Sequence, residues 1–177
     1  METTEQLAVE PPILPVCRYC GSANVMRDAW AVWDVDTQTW QLGASFDYSK
    51  CGDCDAEMQW FEWVDISTYR TRTIRRLNDQ LRHGQPGPHD MVMATPGLLG
   101  LDEVTIQRVV QAVQSFDAFT EDNDPHGEHD CAALEVDGHR VFFKIDYYNL
   151  TFDGQSSDPA DPEVTARVLT TMLASEY

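Results

Sequence analysis

The stretches Cys17-Arg18-Tyr19-Cys20 and Cys51-Gly52-Asp53-Cys54 decide the fold of the first third of this chain. Each CxxC pair holds two thiols one tight turn apart, so two sulfurs can take neighbouring corners of a tetrahedron around a metal ion. Two pairs complete the ligand set of a structural zinc site. We therefore expect one Zn²⁺ ion with four protein ligands and no open position for catalysis: Cys17, Cys20, Cys51 and Cys54.

Two other uses of the cysteines are a redox dithiol and a pair of disulfides. A redox CxxC opens a helix in a βαβ unit, whereas Cys17 follows a proline-rich extended segment and Cys51 lies between strand-like runs. Disulfides require export, and residues 1–10 carry three glutamates with no basic region and no long apolar run. We therefore expect a cytoplasmic protein whose thiols stay reduced. Gly21 and Gly52 are expected to accept positive φ angles in the two turns.

The charge is strongly acidic and unevenly placed. The 177 residues carry a net charge of −18, from 12 Lys plus Arg and 30 Asp plus Glu. Residues 1–66 and 116–177 hold nearly all of the excess acid, whereas residues 67–115 are slightly basic. Nucleic-acid binding draws its affinity from cations that neutralise phosphates, so we do not expect direct binding to nucleic acid. An acidic surface favours solubility or a partner with a basic surface.

The first domain is predicted to be a zinc ribbon over residues 17–66, after an extended lead-in over residues 1–16. Strands are expected at 25–33, 39–42 and 57–64. The predicted order is the first CxxC turn, a hairpin, the second CxxC turn and a strand; each CxxC turn is called a knuckle. All five tryptophans lie in this small region, which has too little interior to bury them. They form either a seam with the rest of the chain or a face that grips a partner; the partner-binding candidates among them are Trp30, Trp33, Trp60 and Trp63.

Residues 67–177 are predicted to form an acidic α+β domain, a small sheet covered by about three helices. The first helix, 67–83, is expected to start at Ser67 or Thr68. A short buried strand is expected at 91–95, a helix capped by Asp102 follows, and a hairpin of 131–136 and 140–148 turns at Asp137-Gly138. A last helix is expected with Asp161 as its cap and Pro162 at its first position, and with Val164, Val168, Leu169, Met172 and Leu173 facing the core.

Arginines on the first helix repeat on the side opposite Ile74, Leu77 and Leu81. They can neutralise acidic residues of the same fold or bind a phosphate or carboxylate. This set consists of Arg72, Arg75, Arg76 and Arg82, the first three being partner-binding candidates. Cys131 is expected to be a buried and unreactive thiol beside Ala132 and Ala133.

The densest polar segment is residues 121–130. Its first half resembles a calcium loop, but Ala133 stands where the bidentate glutamate belongs, which excludes an EF-hand. A structural or recognition role, with Asp122 and Asp124 as candidates, competes with a metal-dependent hydrolase or nuclease. The residues of that second interpretation are His126, Glu128, His129 and Asp130 of the loop with Lys144 and Asp146 of the hairpin.

Four segments carry a resemblance: Asn123-Asp124-Pro125-His126-Gly127-Glu128-His129-Asp130, Phe142-Phe143-Lys144-Ile145-Asp146-Tyr147-Tyr148, Asp158-Pro159-Ala160-Asp161-Pro162 and Leu169-Thr170-Thr171-Met172-Leu173-Ala174-Ser175-Glu176-Tyr177. About residues 70–177 resemble an uncharacterised alphaproteobacterial family of unknown function, whose members often sit on plasmids or other mobile elements. The resemblance implies a bacterial cytosolic setting, and it does not point to any particular activity. One departure is His126, where the family has a tyrosine, and it weakens His126 as a metal ligand.

These observations favour a non-enzymatic, zinc-containing acidic interaction protein. Its expected partner is a protein with a basic surface, and the acidic face could stand in for phosphates and regulate or inhibit a nucleic-acid-binding machine, in a mobile-element or phage-defence setting. The alternatives are the metal-dependent hydrolase or nuclease and an adaptor subunit of a larger complex. No stretch is apolar enough for a membrane span, and the sequence does not indicate an oligomeric state.

Overall fold

The computed structural model describes residues 12–177. The chain divides into two compact units, Met1–Tyr69 and Arg70–Tyr177. The two units are groups of residues that lie close together in space. The predicted domains, 17–66 and 67–177, remain predictions. The α+β class is confirmed, because a cysteine-rich antiparallel sheet precedes a small sheet with helices.

The described residues of the first unit form five strands: β1 (Ile13–Val16), β2 (Val25–Asp34), β3 (Thr39–Cys51), β4 (Glu57–Met58) and β5 (Glu62–Asp65). Strands β2, β3 and β4 form one antiparallel sheet, and β1 pairs with β5 in a second. Residues 13–16 of the predicted extended lead-in form β1, and its residues 1–11 lie outside the described residues. The predicted third strand is divided into β4 and β5, and the return strand β3 continues to the second CxxC pair.

The second unit contains a four-stranded sheet and three α-helices among its described residues. Its helices are α1 (Ile66–Arg82), which starts at the end of the first unit, α2 (Pro96–Leu99) and α3 (Glu103–Gln114); its strands are β6 (Met91–Ala94), β7 (Cys131–Val136), β8 (His139–Tyr148) and β9 (Ala166–Leu173), before a 3₁₀ turn, Ala174–Glu176. The sheet order is β6-β9-β8-β7, with β6 parallel to β9 and the other pairs antiparallel.

The core of this unit lies between α1, α3 and one face of the sheet. Val141, Phe143 and Ile145 alternate along β8 and cluster with Leu81 of α1 and Val109 of α3. The period of two on β8 and the period near 3.6 on the helices bring these side chains together. The hairpin β7–β8 turns at Asp137-Gly138, which confirms the predicted turn.

The predicted last helix was wrong, because residues 166–173 form the central strand β9. Strand β9 is buried on both faces, and such a strand reads as a nearly continuous apolar run. Val168 and Thr170 are β-branched residues that favour strands. The spacing of Val164, Val168 and Leu169 also fits a helix, which explains the error. Asp161 does not cap a helix; its carboxylate accepts the Glu163 N–H in a turn.

Of three smaller expectations, two were corrected and one was confirmed. Asp65, and not Ser67 or Thr68, receives the backbone N–H of Thr68 at the start of α1. Strand β6 was expected to be buried, but it is the edge strand of the sheet and its residues are exposed. The predicted cap of α3 is confirmed, since Asp102 accepts the backbone N–H and the hydroxyl of Thr105.

Candidate metal centre

The two CxxC turns bring four sulfur atoms into one cluster. The Sγ atoms of Cys17 and Cys54 lie 3.7 Å apart, and those of Cys20 and Cys51 lie 3.6 Å apart. All four sulfurs lie within 4.8 Å of one another. Each short distance joins one turn to the other, so the cluster ties together segments that are remote in sequence. The four predicted cysteines therefore form a cluster that could hold a metal ion.

The spacing of the sulfurs fits a tetrahedral zinc ion. Four thiolates about 2.3 Å from Zn²⁺ lie about 3.8 Å from one another in a regular tetrahedron. The two measured distances agree with that separation within a few tenths of an ångström. Bound there, zinc would supply a cross-link between the two turns. Cys17 and Cys51 are buried with Met58, whereas Cys20 and Cys54 face solvent.

Different features shape the two turns. Gly21 has φ +74°, as expected for a glycine after the first cysteine pair. Gly52 does not need positive φ; its hydrogen is required because a Cβ there would lie 2.4 Å from Asn24 Nδ2. The residue after the second pair, Asp55, takes the left-handed conformation with φ 57°. Aspartate tolerates this region better than most residues.

Side chains around the sulfurs clamp the two turns to each other. The Asp53 carboxylate accepts hydrogen bonds from Ser22 Oγ at 2.5 Å and Asn24 Nδ2 at 2.8 Å. The Gly52 N–H donates to the Asn24 carbonyl at 2.8 Å. Ser22 and Asn24 follow the first CxxC, whereas Asp53 lies within the second. This clamp positions the cysteines without contacting a metal, which is the role that outer residues have in metal sites.

The electrostatics of the cluster favour a bound cation. Burial opposes ionisation of Cys51, but backbone N–H groups of Cys54 and Asp53 help to lower its pKa to about 7. For Cys20, the Ser22 backbone N–H favours the thiolate, but burial and the neighbouring sulfurs raise its pKa to about 12. Four adjacent sulfurs resist joint ionisation, and a divalent cation would remove that resistance.

The hairpin that connects the two turns carries an exposed aromatic surface. Trp33 and Trp40 are cross-strand neighbours with ring centroids 5.5 Å apart, and Trp30 meets Phe46 at 6.2 Å. All five tryptophans are exposed, Trp40 at 70%. We call β2 and β3, with the rings of Trp30, Trp33, Trp40 and Phe46, the aromatic ribbon. Partner binding by Trp30, Trp33, Trp60 and Trp63 remains a prediction.

A β-bulge shapes the aromatic ribbon. The register shifts between Trp30 and Ala31, where β3 contributes one extra residue, Gly43. A Cβ on Gly43 would lie 2.6 Å from the Val32 side chain. The bulge places Trp30 with Phe46 on one side and Trp33 with Trp40 on the other, because side chains alternate along a strand. The ribbon thus presents an aromatic pair on each face.

Three of the four arginines that the sequence predicted on one face of α1 lie together in the structure. Arg72, Arg75 and Arg76 line a shallow depression of about 440 Å³ together with Asp79, Gln80 and His83. Arg75 Nε donates to the Gly127 carbonyl at 2.6 Å, so one of its hydrogen-bond donors holds the 121–130 loop. The exception is Arg82, which was expected on the same face but is 3% exposed. It donates to the Val113 and Gln114 carbonyls at the end of α3 and to Asp79.

Within the 121–130 loop, Asp124 and His129 are used internally. Asp124 was a partner-binding candidate, but it is 7% exposed and accepts the backbone N–H groups of Glu128 and His129, which corrects that assignment. His129 Nδ1 lies 3.0 Å from Asp79 Oδ1, and its ring stacks on Phe119 at 3.8 Å. Asp122 is exposed, and partner binding by it remains a prediction.

The residues of the hydrolase interpretation do not form a group that could share a metal ion. Glu128 Oε2 accepts the Tyr147 hydroxyl at 3.1 Å, and Lys144 forms an exposed ion pair with Asp146 at 2.9 Å on β8. His126 is exposed. Within residues 12–177, the four cysteines are the one group of three or more His, Cys, Asp or Glu side chains close enough to share a metal ion.

Cys131 differs from its prediction. It was expected to be buried, but it lies at an exposed position on β7, because β7 is an edge strand and its odd-numbered side chains point away from the helices. Desolvation of its sulfur and the nearby Asp130 raise the pKa of Cys131 to about 11. The thiol is therefore protonated at neutral pH and a poor nucleophile, as expected for a different reason.

Sequence reasoning missed a buried polar network in the second unit. Asn78, fully buried, donates to the Tyr147 hydroxyl at 2.7 Å and accepts from Arg167 Nε at 3.2 Å. Asn78 lies in line with Ile74 and Leu81 of the apolar stripe. An asparagine on that stripe was the available signal, since a buried amide requires polar partners.

One family model matches part of the chain, and the other comparisons with known proteins found no match. No helix in the described residues combines the length and apolar character needed to cross a membrane. Neither the curated proteins nor the solved structures contain a match to the chain. The predicted resemblance to a family of unknown function is confirmed over one region, because residues 94–176 match the model of the family described as "Protein of unknown function (DUF3768)".

Proposed function

We propose that this chain is a non-enzymatic interaction protein, in which a zinc-clamped knuckle presents the aromatic ribbon to a protein with a basic surface. The observation that carries the proposal is the exposure of paired tryptophans on a hairpin whose two ends enter the cysteine cluster. Zinc would fix both ends of the hairpin and so hold the rings in one arrangement before a partner binds. Such preorganisation lowers the entropic cost of association.

The apolar character of the ribbon supports a protein partner. Large exposed apolar patches on soluble proteins mark interaction sites more often than chance. Tryptophan is enriched among the residues that dominate binding energies. The two aromatic pairs, on opposite faces, would allow an extended partner groove to enclose the hairpin. Leu42 and Val32 extend the exposed apolar surface beside the rings.

Charge complementarity supports a basic partner. Asp34 and Asp36 sit at the turn between β2 and β3, and Asp28 and Asp47 lie along the strands. With a net charge of −18, the chain repels nucleic acid and attracts cationic proteins. In the sharper form of the proposal, the partner is a nucleic-acid-binding protein, whose phosphate-contacting cations meet these carboxylates. The acidic surface would then regulate or inhibit that protein.

A cytoplasmic location and a mobile-element or phage-defence setting belong to the same proposal. Free thiols at a zinc site persist in a reducing compartment. The internal use of Asp124 and His129 favours a structural role for the 121–130 loop, because side chains committed to holding a loop are not available to substrates. An adaptor role in a larger complex is compatible with the same aromatic surface.

The experiment measures binding to basic nucleic-acid-binding proteins captured at low salt, over a series of salt concentrations. We expect the dissociation constant to rise steeply with salt, since exposed charges are screened beyond about 10 Å at 0.1 M. Double-stranded DNA should compete for the partner without binding to this chain. The double variant Trp33→Ser and Trp40→Ser should weaken binding by about tenfold or more.

The matched control is Leu99→Ser, which changes an exposed apolar residue in the second unit. It should bind as the wild type does. Binding that is insensitive to salt would overturn the basic partner, and unchanged binding by the tryptophan double variant would overturn the ribbon as the contact surface. Near-ultraviolet circular dichroism and zinc content must first show that the variant keeps its knuckle.

A further inference from the structure

Arg167, at the start of β9, is a buried cation in the second unit. Its exposed fraction is 1%. The guanidinium donates from Nε to Asn78 Oδ1 at 3.2 Å and from Nη2 to the Pro159 carbonyl, and it lies 5.8 Å from the centroid of the Tyr147 ring. All of these partners are neutral, so they satisfy donors without balancing the charge.

Within the part of the chain that the structure describes, no carboxylate forms an ion pair with Arg167. Asp90 and Glu128 act on it from a longer distance. Both oxygens of Asp90 accept backbone N–H groups, from Arg167 at 3.0 Å and Gly87 at 2.9 Å. Burial lowers the pKa of Arg167, but a guanidinium in a protein stays protonated. A buried charge without a close counter-ion is strongly unfavourable.

Arg167 also lines a cavity of about 130 Å³ beside it. The cavity lies among the end of α1, the 84–90 loop and the segment that precedes β9. Gln85 and His89 of its polar lining are exposed; the other polar side chains that line it with Arg167 are Gln80, Asp90 and Thr165. This volume holds a small ion with a few additional heavy atoms and excludes a nucleotide. An arginine in the lining and polar side chains at the mouth are groups that can bind an oxyanion.

We propose that this cavity binds a small oxyanion, a phosphate or carboxylate group, with Arg167 as its counter-charge. Gln85 and His89 lie where they can contact the part of the ligand nearest solvent. Nearby Arg76 adds to the positive potential at Arg167. The Asp90 carboxylate also lines the cavity, and its two oxygens accept the backbone N–H groups of Arg167 and Gly87. The ligand could be a free ion or the anionic group of a small metabolite, and the site is independent of the aromatic ribbon.

The test is a titration of the full, zinc-loaded chain with inorganic phosphate, acetate and methyl phosphate at constant ionic strength, followed by nitrogen–proton NMR. We expect saturable shifts of the Arg167 Nε–H and Asn78 side-chain amide resonances. Thermal unfolding of the second unit should shift upward with the same ligand dependence. A preference for methyl phosphate over inorganic phosphate indicates a metabolite group, and the reverse order indicates the free ion.

Variants assign the effect to the site. Arg167→Met should abolish the saturable response, while Arg108→Met, which removes an exposed arginine paired with Asp137, should keep it. If Arg167→Met does not fold, the rim variant Gln85→Ala with His89→Ala should weaken binding by about tenfold. The proposal is overturned if none of the anions produces saturable shifts. It is also overturned if the rim variant binds as the wild type does, or a folded Arg167→Met keeps the response.

Discussion

The Sγ atoms of Cys17 and Cys54 lie 3.7 Å apart across 37 positions of sequence. The outer cysteines of the two CxxC pairs therefore meet, and the inner pair, Cys20 and Cys51, meets at 3.6 Å. A metal at this point closes the chain around the whole aromatic ribbon. Loss of the metal should release both ends of the hairpin at once, and this makes the site testable through the ribbon itself.

Cys17→Ser should remove stoichiometric zinc and disorder the first unit. Structural zinc contributes about 10–16 kcal/mol to the folding of small zinc domains. Because all five tryptophans lie in this unit, near-ultraviolet circular dichroism of tryptophan reports on it. Elemental analysis should find one zinc per chain in the wild type and in the control variant Cys131→Ser. Full zinc content in Cys17→Ser would contradict the site.

The same measurement separates the structural interpretation from the hydrolase interpretation. A second, labile metal that disappears in a His129→Ala variant would assign a metal to the 121–130 loop. One metal, unaffected by that substitution, is the expected outcome. The reason is that His129 already contacts Asp79 and stacks on Phe119, which orients its ring within the fold.

Asp53→Ala should weaken zinc binding without changing its stoichiometry at saturation. The substitution removes acceptors for Ser22 and Asn24, which join the two turns. Loss of such outer contacts costs about 10-fold to 100-fold in metal affinity. Competition with a chromophoric chelator measures the change. Asp55→Asn is the control, because it removes an exposed ion pair with Lys50 and keeps a residue that tolerates positive φ.

Local chemistry explains what the sequence could predict. Metal-ligand spacing identified the four cysteines, and turn and cap residues such as Asp137-Gly138 and Asp102 identified the hairpin and α3. The errors arose where contacts between distant segments decide whether a segment forms a helix or a strand. The apolar spacing of residues 164–173 fits a helix or a doubly buried strand, and the sheet neighbours β6 and β8 select the strand.

Burial of polar residues was the other limit. Arg82, Asp124 and Arg167 carry full charges, so composition places them at the surface. In the fold, Arg82 reaches the end of α3 and Asp124 binds loop N–H groups. Val113 lies 31 positions from Arg82, and local patterns do not encode such a pairing, whereas the N–H groups that Asp124 accepts lie only four and five positions away.

Leu81→Ala should destabilise the second unit by about 2–5 kcal/mol, because it leaves a cavity in a close-packed core. Leu81 is 1% exposed and packs in the same cluster as Val109 and Phe143. The control, Leu99→Ala, alters a leucine that is 58% exposed and should change the free energy of unfolding by less than about 0.5 kcal/mol. Urea unfolding followed by far-ultraviolet circular dichroism measures both. Equal effects would show that the core is misassigned.

Glu128→Gln should remove a pH-dependent loss of stability. Burial raises the pKa of Glu128 above its ordinary value, although the hydrogen bond from Tyr147 opposes the shift. The folded chain therefore holds this proton more tightly than the unfolded chain does. The resulting stabilisation is complete below the unfolded pKa, about 4.3, and is lost as the pH rises through the raised folded pKa.

Glutamine is uncharged throughout and its amide oxygen can still accept the Tyr147 hydroxyl, so the variant should keep its stability where the wild type loses it. Unfolding free energies measured by urea denaturation should converge in acid and separate toward neutral pH, with the variant the more stable. Glu135→Gln, at an exposed position on β7, should not alter the pH dependence. A wild type that gains stability relative to Glu128→Gln as the pH rises would mean that the carboxylate is favoured in the fold. That result would mean that the fold stabilises the ionised form of Glu128, and that its pKa is lowered and not raised.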